Sequence, residues 1–198
     1  DPDAFSAALL DELNLRHARF LDGIEKYRAH GYSRSLETPP ALWEAGHTRL
    51  LDYGATTPVG RSGRPVLVVP SLVNRSHIMD LTDEHSFLRF LAANGFRPLL
   101  VDWGTPEPAA LARSLDDYIA GDLASALDIA IETAGGEPVP VLGYCMGGTL
   151  AAALAVLRPD HIAALVLLAA PWDFHVDAAG ISVGRRRRWL PHGPHWKT

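Results

Sequence analysis

Four short apolar runs constrain this chain more than any other feature. They read VLVV (66–69), PLLV (98–101), VPVL (139–142) and ALVLL (164–168). The first three are bounded by Pro, Gly, Asp or Arg, and all four lack the polar alternation of a strand with one wet face. Such runs suit strands buried on both sides. The segments between them carry a helical period. Residues 83–93 place Phe87, Phe90 and Leu91 on one face and stop at Asn94-Gly95. Residues 115–131 place Leu115, Tyr118, Ile119, Leu123, Ala126, Leu127, Ala130 and Ile131 in one stripe, ended by Gly135-Gly136. Residues 147–157 are rich in Ala and Leu and stop at Arg158-Pro159. Parallel strands need crossovers long enough to hold a helix, and those crossovers cover the sheet. The expectation is an α/β fold with a mostly parallel sheet and helices on both faces.

Ahead of this core, Leu9, Leu10, Leu13, Phe20, Leu21, Ile24 and Tyr27 recur at three- and four-residue steps, predicting an amphipathic helix over 4–30 with a break near Leu15. Pro39-Pro40 ends that segment, TRLLDY (48–53) reads as a short strand, and 54–65 reads as a loop. The expected organisation is a helical segment over 1–40, the α/β core over 41–178 and a basic, disordered tail over 179–198. Five of the 18 Lys and Arg residues lie after Gly184, whereas all 23 acids lie before it. An acidic body argues against nucleic acid as a partner. The single cysteine excludes an intramolecular disulfide and a multi-Cys zinc site, and agrees with a cytoplasmic location. No apolar stretch is long enough to span a bilayer, no secretory leader is apparent, and no metal site is expected. The chain opens on Asp1 rather than Met, as a trimmed or partial product would.

That single cysteine sits in GYCMGGTL (143–150), directly after the third run and directly before a helix. Strand, Gly-x-Cys-x-Gly-Gly, helix is the context of the nucleophile elbow of α/β-hydrolases, with Cys145 in the place of serine. Such a turn needs small residues at Gly143, Gly147 and Gly148, because larger ones would meet the neighbouring strand and helix. The helix start directs N–H groups and a positive dipole end at the sulfur, which favours a thiolate. The Met146 amide becomes a donor to an oxyanion. The competing interpretation is an inert, packed thiol.

With the elbow on the page, further blocks fall into order: VLVVPSLVNRSHIMDL (66–81), GFRPLLVDWGTP (95–106), LDDYIAGDL (115–123), LGYCMGGTLAAALA (142–155) and AAPWDFH (169–175). Together they resemble the polyhydroxyalkanoate synthases, also called poly(3-hydroxybutyrate) polymerases, over about residues 48–178. The resemblance implies an α/β-hydrolase fold and an acyltransferase that polymerises 3-hydroxyacyl-CoA through a cysteine thioester, with no cofactor beyond the coenzyme A of the substrate. It makes Cys145 the nucleophile and matches the Val73 amide to a second oxyanion donor beside Met146. Asn74 and Arg75 belong to the same motif, with loop shaping as their first expected role and substrate contact as their second, and Asp102-Trp103 ends the next strand, shaping the pocket floor. The resemblance also implies a homodimer or a second synthase subunit, and a polyester granule surface, as partners. A thioesterase or esterase on the same fold, and a fragment that binds without turnover, are the other readings.

The chain departs from the family after about residue 178. A cysteine nucleophile needs a histidine base and an acid that orients it, in the order nucleophile, acid, histidine. In the family both lie far downstream, and only residues 146–198 follow Cys145 here. Asp173, His175, His192 and His195 are candidates by default, so the triad acid and base are not identifiable. The hydrolase fold is expected to be incomplete, with its last strand and adjoining helix faces uncovered. RRRRWLPHGPHWKT (185–198) reads as a shifted frame of a G+C-rich gene, and the chain as one inactive in turnover.

Overall fold

The computed structural model describes residues 1–105 and 112–172. It divides into two compact units, Asp1–Leu36 and the chain from Glu37 onward. The first unit is built on helix α1 (Pro2–Ala29), continuous through Leu15, with Asp1 capping its N-terminus. The expected break is absent because 9–20 contains neither Gly nor Pro to interrupt the hydrogen-bond ladder. None of its residues is buried, the apolar stripe read from the sequence included.

In the second unit, strands β1 (Ala41–Ala45), β2 (Thr48–Asp52), β3 (Arg64–Val69), β4 (Phe96–Asp102), β5 (Val139–Tyr144) and β6 (Ile162–Leu168) form one sheet in the order β1-β2-β4-β3-β5-β6. The four runs become β3 to β6, and all their pairings are parallel. The first two strands add antiparallel edges to β4 and to each other. β1 falls between Pro40 and residue 48, where the sequence predicts no strand.

The pleat sorts the side chains of β3 into two cores. Leu67 and Val69 join Leu99, Val101 and Val141 on one face, beneath helices α4 (Ala124–Thr133) and α5 (Met146–Leu157). Val66 and Val68 join Leu51, Tyr53, Leu100 and Leu142 on the other, beneath Met79 and Leu88. Both faces are therefore covered, and this is what allowed the strands to be apolar throughout. β6 differs: Leu165, Val166, Leu167 and Leu168 remain 38–48% exposed, as do Val156 and Leu157 on α5 to a greater extent.

The helices require three corrections. Residues 54–65 are not simply a loop, since a 3₁₀ turn (Tyr53–Thr56) and the short helix α2 (Pro58–Arg61) occupy them. Helix α3 spans only Phe87–Ala93, because the Leu81 and Thr82 amides donate to the His85 carbonyl and close a turn over 81–85. Ser86 caps the helix by accepting the Arg89 N–H at 3.1 Å. Its buried face is Leu88 and Ala92, whereas Phe87 and Phe90 are exposed. The long stripe over 115–131 is helical as expected, but its first part, Asp117–Leu123, is a π-helix leading into α4. Expectations for 173–198, the basic tail included, lie outside the described residues.

Candidate active site

β3 pairs with β4 on one side and β5 on the other, so the winding of the sheet reverses at β3. In open parallel sheets the crevice at the carboxyl ends of the strands on either side of such a reversal is where ligands bind. Two loops of this chain reach that crevice. One follows β3 and contains Pro70, Ser71, Leu72 and Val73; the other is the β5–α5 junction at Cys145.

Cys145 occupies φ 54° and ψ −130°. A non-glycine residue is rarely held there, at a cost of about 1–3 kcal/mol. The glycines around it show what fixes this conformation. A Cβ on Gly143 would lie 2.4 Å from Gly148 Cα, and one on Gly147 would lie 2.2 Å from the Val69 carbonyl oxygen and 2.4 Å from that of Pro70. A Cβ on Gly148 would approach Ala170 Cβ to 2.4 Å. The elbow can form only without side chains at these three positions, and Gly147 brings it directly against the loop after β3.

The neighbouring strand completes the clamp. The Cys145 N–H donates to the Leu168 carbonyl at 2.9 Å, and the Gly148 N–H to the Cys145 carbonyl at 2.8 Å. Ala169, next after β6, is the other non-glycine residue at positive φ among the described residues, at 50°. The Thr149 hydroxyl donates to the Pro171 carbonyl at 2.8 Å. Residues 168–171 thus hold the first turn of α5 from the side opposite β3.

Of the two oxyanion donors expected, Met146 opens α5, where helical geometry gives an N–H no acceptor within its own helix. The Val73 N–H donates to Ser71 Oγ at 3.3 Å, and Ser71 itself is buried. The Val73 side chain is exposed, as is Asn74, and Arg75 reaches Thr105 Oγ1 at 3.1 Å. Asp102 is paired with Arg49 at 2.6 Å and accepts the Gly104 N–H. Trp103 is buried and donates its Nε1–H to the Pro70 carbonyl at 3.1 Å.

Behind Trp103 lies a network that sequence reasoning missed. The Tyr118 ring meets Trp103 edge-on at 5.7 Å, and the Arg113 guanidinium sits 4.2 Å from the centre of the Tyr118 ring. Arg113 donates twice to Asp122, at 2.9 and 2.8 Å, and the Thr48 hydroxyl donates to the same carboxylate at 2.6 Å. Hydrogen bonding to Asp122 raises the Arg113 pKa further above its already high value. Arg113, Tyr118 and Asp122 are neighbours in sequence, but Thr48 and Trp103 come to them from distant segments, and no local pattern announces the meeting.

Among the described residues no histidine hydrogen-bonds the Cys145 thiol, and none forms a three-member metal-binding group with other ligating residues. Asp173, His175, His192 and His195 lie outside the described residues. Within the described part, the arrangement presents a thiol on a strained turn at the start of a helix, with the loop after β3 packed against that turn. That is the equipment for attack on an acyl carbon.

The chain belongs to the alpha/beta hydrolase fold family, whose model matches residues 64–191. Within that fold its sequence is most informative when set beside poly(3-hydroxyalkanoate) polymerases, which bears out the resemblance read from its motifs. It is 38% identical over 128 residues to the poly(3-hydroxyalkanoate) polymerase subunit PhaC of Thiocystis violacea, covering 64% of this chain and 36% of that protein. It is 34% identical over 140 residues to the corresponding subunit of Haloferax mediterranei, covering 71% of this chain and 28% of that one. The chain thus spans about a third of the length of the curated relatives it matches. Among solved structures, the thioesterase domain from the curacin biosynthetic pathway shares the fold, with a TM-score of 0.51, 22% identity and coverage of 73% of this chain and 50% of that one. Among the described residues no helix is long and apolar enough to cross a membrane.

Proposed function

We propose that this chain carries the nucleophile of a polyhydroxyalkanoate synthase-like acyltransferase acting on 3-hydroxyacyl-CoA. The observation that carries the reading is Cys145 at φ 54°, on a glycine-walled elbow at the sheet's switch point, in a sequence that is 38% identical to a polymerase subunit. The Cys145 thiolate attacks the thioester carbonyl carbon, forming a carbon–sulfur bond and a tetrahedral oxyanion. The Met146 amide donates to that oxygen, and the Val73 amide, bonded to Ser71 Oγ in the structure, gives a second bond by turning from Ser71. Collapse breaks the bond to coenzyme A sulfur, and coenzyme A leaves as thiolate and takes up a proton from solvent. One thioester replaces another, so the step is nearly isoenergetic. Elongation then needs the acyl chain's hydroxyl deprotonated by a base, and no described residue is placed for that task. By the same likeness the site of action is cytoplasmic, at the surface of the polyester, with a second copy or subunit as partner.

The test is acyl transfer to the full chain from 3-hydroxybutyryl-CoA at alkaline pH, where a thiol ionises without a base. Intact mass should rise by one hydroxybutyryl unit in the wild type and not in Cys145→Ala. Equal acylation of both would refute the nucleophile. Release of free 3-hydroxybutyrate at the rate of coenzyme A release would assign a thioesterase instead.

A further inference from the structure

The loop after β3 has no secondary structure to hold it, yet its amide must point at an oxygen to within a fraction of an ångström if it is to act. Its fixed points are visible. The Trp103 Nε1–H···O bond to Pro70, 3.1 Å long and buried, sets the plane of the Pro70–Ser71 peptide. Ser71, 3% exposed, in turn accepts the Val73 N–H on its hydroxyl oxygen. The Pro70 carbonyl is also the group that a Cβ on Gly147 would strike, so the same peptide abuts the nucleophile's turn. Trp103 is held in place by the Tyr118 ring, itself covered by Arg113, which is tied to Asp122. An indole can pack on apolar contacts alone. Here its one polar atom is spent on the carbonyl that anchors this loop.

We infer that Trp103 is a positioning residue for the second oxyanion donor: by fixing Pro70 and Ser71 it sets the place from which the Val73 N–H exchanges Ser71 Oγ for the oxyanion. This rests on the reading of Cys145 as an acyl-accepting nucleophile. Two reactions of the Cys145 thiol separate the roles. Acylation by p-nitrophenyl acetate passes through a tetrahedral oxyanion, whereas alkylation by iodoacetamide displaces iodide at a saturated carbon and forms none.

Both rates are measured on the full chain at about pH 9, and N-acetylcysteine serves as the free-thiol reference. Trp103→Phe keeps an aromatic ring against Tyr118 and deletes the donor. Its acylation rate should fall by about tenfold, a mispositioning effect smaller than the 10²–10³ of losing a donor outright, while alkylation stays unchanged. Site-specific replacement of Trp103 by 3-benzothienylalanine, which has the indole's shape with sulfur in place of N–H, should give the same split and serves if the Phe variant does not fold. An unchanged ratio in either folded variant overturns the inference. So does a parallel loss of both rates, which would mark a structural role only. A wild-type ratio no better than that of N-acetylcysteine would overturn both the inference and the proposed oxyanion site. Loss of donor positioning alone leaves Cys145 as the acyl acceptor.

Discussion

The tightest steric statement in this structure concerns Gly147, and it yields a quantitative expectation. A methyl group there would sit 2.2 Å from the Val69 carbonyl oxygen and 2.4 Å from that of Pro70. Carbon–oxygen contacts settle at about 3.3 Å or more, so Gly147→Ala demands roughly 1 Å of separation between the start of α5 and the end of β3. Neither side can give that distance freely. Val69 is paired with Gly143 in the β3–β5 ladder, and the Gly148 amide is bonded back to Cys145. Overpacking against side chains costs about 1–3 kcal/mol, and a collision with backbone belongs at the upper end. We expect Gly147→Ala to lose about 3 kcal/mol in urea unfolding, or about 6–12 °C in Tm. A 1 Å displacement beside the nucleophile should also cost the thiol's acylation by p-nitrophenyl acetate about 10²-fold. Gly121→Ala is the control: no atom lies within 4 Å of its Cβ, and its effect should be a gain within about 1 kcal/mol. A Gly147→Ala protein within roughly 0.5 kcal/mol of wild type would refute the close approach of elbow and loop on which the site depends.

Other expectations follow from single contacts. Leu88, fully buried, should cost about 2–5 kcal/mol on truncation to Ala, whereas Phe90→Ala, at a position 62% exposed, should stay below about 1 kcal/mol; equal losses in urea titrations would contradict the assigned face of α3. Asp80 is buried and accepts from Tyr53, Ser86 and Arg89, so Asp80→Ala, which removes the charge that partners Arg89, should cost about 3 kcal/mol in the same assay, and a neutral result would exclude the network. Asp117 accepts the Ser114 N–H and then its hydroxyl, and these bonds hold its carboxyl below the ordinary aspartate range. Its contribution to folding is therefore present above the ordinary aspartate pKa and lost as pH falls through the lowered folded value. Carboxyl-carbon NMR titration should show a midpoint below that of a free aspartate, moving partway back in Ser114→Ala; a midpoint at the ordinary value would remove the cap.

What could be read in advance depended on how many interactions each element makes. β3 to β5 were legible because strands covered on both faces have one composition, and β6 shares that composition although Leu165 to Leu168 stay exposed. β1 was not, since an edge strand carrying exposed Glu44 and a half-buried Trp43 has no distinctive pattern. The face of α3 was misread because Phe87 and Phe90 are large and apolar, yet the space beneath the helix is filled by Leu88 and Ala92. The π-helix over Asp117–Leu123 was hidden because one extra residue per turn leaves the stripe almost unchanged over a single turn. The tight turn over 143–148 lends itself to reading in sequence, since its sterics are local and select glycine. The bond from Trp103 to Pro70 does not, because its partners are 33 positions apart and either residue alone has many uses.

The Cys145 amide hydrogen has a consequence of its own. It is bonded to the Leu168 carbonyl, so exchange of that proton with solvent requires β6 to let go. Cys145 and the end of β6 therefore open together, and the protection factor at Cys145 measures the free energy that holds Leu168 on the elbow. Whatever steadies or loosens that strand alters the fraction of time the thiol spends in its strained, presenting geometry.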